Sequence, residues 1–207
     1  MKRTIYFDYL RVIACFAVIV LHVSAMQWRD YEEPTLEWNV MNIYDSATRF
    51  CVPIFLMISG ALFLNPEKKL SLRKLYTHNI LRVITAFCFW SFIYACYTFT
   101  PSEGPSFLTL LLCGHIHMWF LWLIVGLYML VPILRKVVEN RRVMEYFLLL
   151  SFVFSFVVPF IFELTKIFIP TLTSIVEIGE MYCNNLRLQM LSAFTFYFVL
   201  GYYLHNI

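Results

Sequence analysis

His22 and Arg11 stand eleven positions apart in the apolar stretch FDYLRVIACFAVIVLH, residues 7–22, with Asp8 three positions before the arginine. At 100° per residue, eleven steps of an α-helix make three turns and about 20°, so Arg11 and His22 share one face, roughly 16 Å apart along the axis. Asp8 and Arg11 have the i,i+3 spacing of a salt bridge. A charge at bilayer depth costs at least about 2.5 kcal/mol, so such a row should face a bundle interior or a wet cavity. An imidazole and a guanidinium held there suit proton transfer and anion stabilisation, or equally a polar pathway for a solute.

A second apolar stretch, YDSATRFCVPIFLMISGALFL (residues 44–64), carries Asp45 and Arg49 at i,i+4 near its start and Ser59-Gly60 near its end. This helix runs opposite to the first, which places Arg49 at a depth similar to His22 and makes the two a candidate site. A structural Asp45–Arg49 ion pair, an interfacial Asp8–Arg11 pair and a His22 bonded to a backbone carbonyl are the bland alternatives. HIHMWFLWLIVGLYMLVP (residues 115–132) brings His115 and His117, two positions apart. On a helix that spacing puts them on roughly opposite faces, a poor metal pair; only an extended loop would let them chelate together, and no metal site is expected. His117, nearer the span, is the better cavity candidate. Arg82, at the inner start of a third apolar stretch, reads as a snorkelling anchor or a phosphate contact.

The elements that must position these residues follow from composition. Of 207 residues, 61% are hydrophobic and only 14% charged, and the mean hydropathy is +0.72, which excludes a soluble domain and specifies a multi-pass membrane protein. Sixteen Lys and Arg against thirteen Asp and Glu give no nucleic-acid surface. Runs long enough for the roughly 20 residues that cross a bilayer fall at about 7–27, 44–64, 79–99, 118–138, 145–168 and 188–206. The expected fold is therefore an all-α polytopic bundle of about six spans in one domain over residues 1–207.

Lys2 and Arg3 precede the first span, while WRDYEEPTLEW after it is acidic. Lys68, Lys69, Arg73 and Lys74 lie in the second connection, and Arg135, Lys136, Arg141 and Arg142 in the fourth. The positive-inside rule then places the N-terminus in the cytoplasm. The first span reads as a retained helix, with no cleavage site after it. Trp28, Trp38, Trp119 and Trp122 fall at outer ends, as interfacial anchors do. Pro53, Pro132 and Pro159 mark possible kinks. The six cysteines suggest neither a disulfide framework nor a metal spacing and are expected as buried free thiols. The long connection 166–187 is a candidate lid or re-entrant piece.

FDYLRVIACFAVIVLH resembles the first-helix signature of the integral-membrane acyltransferase-3 family, an arginine and a histidine with ten residues between them, here Arg11 and His22. RFCVPIFLMISGALFL resembles the family's second block, and MWFLWLIVGLYMLVPIL its Trp-Phe-Leu and Tyr…Pro block. Family members usually carry more helices, so the chain is expected to be an N-terminal portion. The resemblance implies transfer of an acyl group, usually acetyl and sometimes succinyl, from cytoplasmic acyl-CoA to a hydroxyl of a carbohydrate or lipid-linked glycan. It also implies residence in the plasma (inner) membrane. The expected partners are acyl-CoA as donor substrate, the glycan acceptor and the bilayer, with no permanently bound cofactor. In that setting His22 is the expected general base, and Arg49 the stabiliser of the oxyanion or the group that orients the acceptor. Arg11 and Arg82 would hold the CoA phosphates or pantetheine, and Asp45, His117 and Trp119 would contact the acceptor. A transporter or flippase-like protein without acyl chemistry is the alternative, and a scaffold whose polar residues lock helix packing a third reading.

Overall fold

Long apolar runs leave backbone groups no solvent partner in a bilayer, so helices are the structure open to them. The computed structural model describes residues 5–27, 31, 33, 35–100, 104–185 and 188–206, with side chains over the same residues except 27 and 188–192. Lys2, Arg3, Trp28 and residues 29, 30, 32 and 34 of the acidic connection lie outside the described residues. Among those described there is no strand. The helices are α1 (Ile5–Gln27), α2 (Leu36–Thr48), α3 (Cys51–Phe63), α4 (Leu72–Lys74), α5 (Leu81–Thr98), α6 (Phe107–Cys113), α7 (Trp119–Val138), α8 (Arg141–Phe152), α9 (Val158–Phe168), α10 (Thr173–Asn185) and α11 (Leu188–His205). Five apolar segments among the described residues are long enough to cross a membrane: Ile5–Met26, Leu36–Phe63, Leu72–Thr98, Phe107–Val138 and Arg141–Phe168. Helix α11 occupies the position of the sixth expected span.

Several spans begin earlier than apolar content alone suggests, because polar caps start the helices in what read as connections. The Thr35 hydroxyl accepts from the Trp38 N–H at 3.2 Å and starts α2 inside the expected acidic loop. Ser71 accepts from the Lys74 N–H at 3.3 Å and starts α4, which a π-helical stretch at Leu75–Ile80 joins to α5. Such caps satisfy backbone donors that the first turn leaves orphaned. The connection 166–187, the candidate lid or re-entrant piece, is largely helical over its described residues: α10 packs against α9, and Lys166 Nζ lies 2.6 Å from Glu180 and 3.1 Å from Glu163. Pro159 acts just before α9, where the helix widens into a π turn at Val153–Val157 with Val158 N–H bonded to the Val153 carbonyl. Proline has no N–H to continue the ordinary ladder.

The chain folds as two compact units, one from Met1–Asn65 with Val137–Ile207 and one from Pro66–Lys136. In the first, α1 and α3 pack through small residues: Ala14 and Ala17 meet Cys51, and further along Phe7 meets Ile58 and Ala61. The pairing of early α1 with late α3 makes these helices antiparallel. The Tyr6 hydroxyl lies 2.7 Å from His205 Nδ1, so α11 ends where α1 begins. Helices α3 and α11 approach so closely that a Cβ on Gly60 would overlap the backbone of Phe198, and one on Gly201 the backbone of Met57. Close backbone approach at glycine is how membrane helices gain packing when hydrophobic burial gives them little. Helix α8 also packs against α11, with Arg141 reaching the Tyr203 hydroxyl and Phe152 6.0 Å from Phe196 between ring centroids.

In the second unit α5 packs against α6. Ser91, fully buried, donates to the Leu111 carbonyl in the last turn of α6, where intrahelical partners have run out. Ser91→Ala is expected to destabilise this unit by about 0.6–2 kcal/mol, read as a shorter half-life of the folded chain in mild detergent. Arg135, which reads from sequence as part of a basic loop, is buried at the end of α7 and donates to the Lys68 carbonyl at 2.5 Å. All six cysteines are free, but only Cys51 is buried. Cys15, Cys88, Cys96 and Cys113 are exposed and Cys183 half-buried, which corrects the expectation of buried thiols. A helix surface facing lipid accepts apolar thiols as readily as a core does.

Candidate functional site

The side of α1 packed against α3 runs through Phe7, Leu10, Ala14, Ala17, Val18 and Leu21. Helical geometry places Arg11 and His22 about 90° from the centre of that face. They therefore lie on its flank, between the packed side and the exposed side of Val12, Phe16, Ile19 and Val23. Burial agrees: His22 is half-buried, and the Arg11 and Asp8 side chains are 42% and 33% exposed. Arg11 Nη1 donates to Asp8 Oδ1 at 3.1 Å, the contact that i,i+3 spacing allows. Asp8 also lines an open cleft of about 490 Å³ with Ile5, Tyr9 and Val12.

Arg49 stands at a break. Helix α2 ends at Thr48, a turn covers Arg49 and Phe50, and α3 starts at Cys51. Pro53 is the cause, because in an unbroken helix its absent N–H would serve the Arg49 carbonyl and its ring would collide with that group. The regular ladder resumes with Ile54 N–H on the Phe50 carbonyl at 3.1 Å. The Arg49 guanidinium folds back onto Asp45, donating from Nε at 2.8 Å and Nη2 at 2.5 Å to the same Oδ2. Asp45 is 5% exposed at its side chain and Arg49 69%, so a buried carboxylate anchors a guanidinium that is otherwise open. Leu21 and Val18 of α1 pack into the cluster that contains Cys51. His22 and Arg49 thus flank one packed level of the α1–α3 contact, each within two residues of a member of that cluster.

Arg82, His117 and Trp119 lie in the second unit. Arg82 is exposed in the first turn of α5, directly after the π-helical stretch, and Trp119 opens α7 and is 47% exposed. His115 and His117 depart from helical expectation. Gly114, at φ +66° and ψ −179°, ends α6 in a conformation that side-chain-bearing residues rarely adopt. His115 is extended, and Ile116–Met118 form a short 3-10 turn. The two imidazoles therefore meet, with Nδ1 atoms 2.7 Å apart and ring centroids 4.2 Å apart. His117 Nε2 lies 3.1 Å from the Tyr94 hydroxyl, and the Tyr94 ring lies 4.6 Å from the His115 ring between centroids.

A cavity of about 320 Å³ opens beside this cluster, lined by Trp90, Tyr94, His117, Met118, Phe120 and Leu121. Trp90 and Tyr94 were legible only as an i,i+4 aromatic pair on the third span; nothing local in the sequence ties them to His117. Among the described residues no three His, Cys, Asp or Glu side chains gather as metal ligands.

The model of a protein family described as "Acyltransferase domain" matches residues 4–207 of the chain. Neither the curated proteins nor the solved structures include a match to it.

Proposed function

Because the chain belongs to the acyltransferase-3 family and is a multi-pass membrane acyltransferase, we propose that it moves an acyl group, acetyl first among them, from acyl-CoA to a hydroxyl of a carbohydrate or lipid-linked glycan. The observation that carries this reading is the α1 row, with His22 half-buried at one end and the Asp8–Arg11 pair at the other. A neutral imidazole in that position accepts the proton of the acceptor hydroxyl as its oxygen attacks the thioester carbonyl. Negative charge then gathers on the carbonyl oxygen of the tetrahedral intermediate, and Arg49, steadied by Asp45 and still largely exposed, is the group to meet it. The C–S bond breaks, and the departing thiolate takes the proton back from the imidazolium as CoA thiol. The ester is formed with no net proton gained or lost.

Arg11 is assigned to the phosphates or pantetheine amides of the donor, and Asp45 to the acceptor side. The N-terminus is assigned to the cytoplasm of a plasma-membrane protein. Tyr6, His205, Tyr203 and Arg141 gather at one end of the first unit, beside Arg142, and positive charge marks the cytoplasmic side.

The test is incubation of membranes containing the full chain with acetyl-CoA labelled in its acetyl group and extracted glycolipids. Label is expected in an alkali-labile ester on the glycolipid fraction. Solute movement across the membrane with the thioester left intact would instead establish a transporter.

A further inference from the structure

We infer that His115 and His117 form a two-histidine chelate for a divalent transition metal of the Zn²⁺ and Cu²⁺ class. Helical spacing would hold the two rings apart. Here Gly114, at φ +66°, ends α6, His115 is extended and Ile116–Met118 form a 3-10 turn. The Nδ1 atoms consequently face each other at 2.7 Å. Only one proton fits between them, and a metal ion can take its place. Two Zn–N bonds of about 2.0–2.1 Å at a tetrahedral angle set the nitrogens about 3.3 Å apart. From 2.7 Å the two atoms need to part by only about 0.6 Å.

Tyr94 of α5 holds both rings. Its ring lies 4.6 Å from the His115 ring between centroids, at 34°, and its hydroxyl lies 3.1 Å from His117 Nε2. The hydrogen bonds already present therefore favour the chelate. When His117 donates from Nε2 to the phenol oxygen, its Nδ1 keeps a lone pair, which is how a metal-bound histidine is ordinarily oriented by the group on its other nitrogen. Both imidazoles are half-buried, so an ion reaches them and water fills its remaining positions. The described wall of the adjoining cavity carries no Lys or Arg to repel a dication. Neutral nitrogen donors without carboxylates select this class of ion over Mg²⁺ and Ca²⁺, which take oxygen. With two protein donors where structural zinc sites have four, Kd is expected on the order of 10 µM. The ion ties the junction of α6 and α7 to α5 within the unit Pro66–Lys136, and nothing in this depends on the acyl-transfer reading.

The full chain, without a polyhistidine tag, is reconstituted in phosphatidylcholine nanodiscs whose scaffold is likewise untagged. It is titrated with Zn²⁺ alone, with Mg²⁺ as the comparison. Calorimetry is expected to show saturable Zn²⁺ binding, and the unfolding midpoint to rise by about 3–6 °C at ten times Kd. Affinity is expected to fall at least about tenfold in His115→Gln and in His117→Gln, and about tenfold in Tyr94→Phe, which keeps both donors and loses their anchor. His78→Gln is expected to bind as wild type does. Cu²⁺ EPR of the wild-type chain tests the donor set without any substitution, with coupling to two imidazole nitrogens expected.

Zn²⁺ bound at wild-type strength in either His115→Gln or His117→Gln overturns the proposal. So does the absence of Zn²⁺ binding in wild type that elutes as a monodisperse peak, Mg²⁺ binding of equal affinity, or Cu²⁺ coupled to one nitrogen or none.

Discussion

His22→Ala is expected to lower acyl transfer by about 10²–10⁴-fold, the usual contribution of a positioned general base, while leaving the chain in the membrane at its normal abundance. The second half of that expectation comes from packing. His22 sits on the flank of α1, whereas the contact with α3 is made by Ala14 and Ala17, at 0% and 4% exposure. Shortening His22 opens no hole in that contact. His22→Gln separates the roles further, because an amide keeps hydrogen-bonding capacity and cannot take a proton. It is expected to be as inactive as the alanine variant. Label transfer normalised to the chain's amount by immunoblot is the measurement, and full activity in His22→Gln would dismiss His22 as the base. Ala14→Leu is the counterpart, expected to lower abundance because added bulk has no room between α1 and α3.

Gly201→Leu is expected to have the largest effect on stability. Overpacking a core typically costs about 1–3 kcal/mol when side chains can shift. Here the obstacle is the backbone of Met57, which cannot rotate aside, so the helices themselves must separate. The cost should reach or exceed the upper end of that range, and Gly60→Leu should behave alike against Phe198. Gly126→Ala supplies the comparison, since a Cβ there meets nothing within 4 Å, and it should stay within about 0.5 kcal/mol of wild type. Thermal unfolding of the three variants in one detergent decides the matter. A Gly201→Leu midpoint equal to that of Gly126→Ala would contradict the close approach of α3 and α11.

What could be read from the sequence was local. The Asp8–Arg11 and Asp45–Arg49 pairs follow from helical spacing, and both are formed. Helix starts were misplaced by several residues because Thr35 and Ser71 cap helices within polar stretches that hydropathy assigns to loops. Pro53 was visible as a kink, but its effect falls four residues earlier, at the Arg49 carbonyl, which is why the guanidinium emerges from a turn. His115 and His117 were judged by helical angles, and the Gly114 backbone removed that premise. Tyr94, 23 positions from His117, and Gly201, in another helix from Gly60, meet their partners only in three dimensions. No local periodicity encodes such contacts.

The pairing of Gly60 with the α11 backbone also bears on how the protein is made. Residues 66–136 form their own unit between the two stretches that build the first. The glycine face of α3 therefore leaves the ribosome about 140 residues before Gly201 does, an interval of about 7–28 s at ordinary elongation rates. During that time the notch at Gly60 lies open to lipid or to an insertion factor. The second unit can complete its own packing while the first still awaits its last helix.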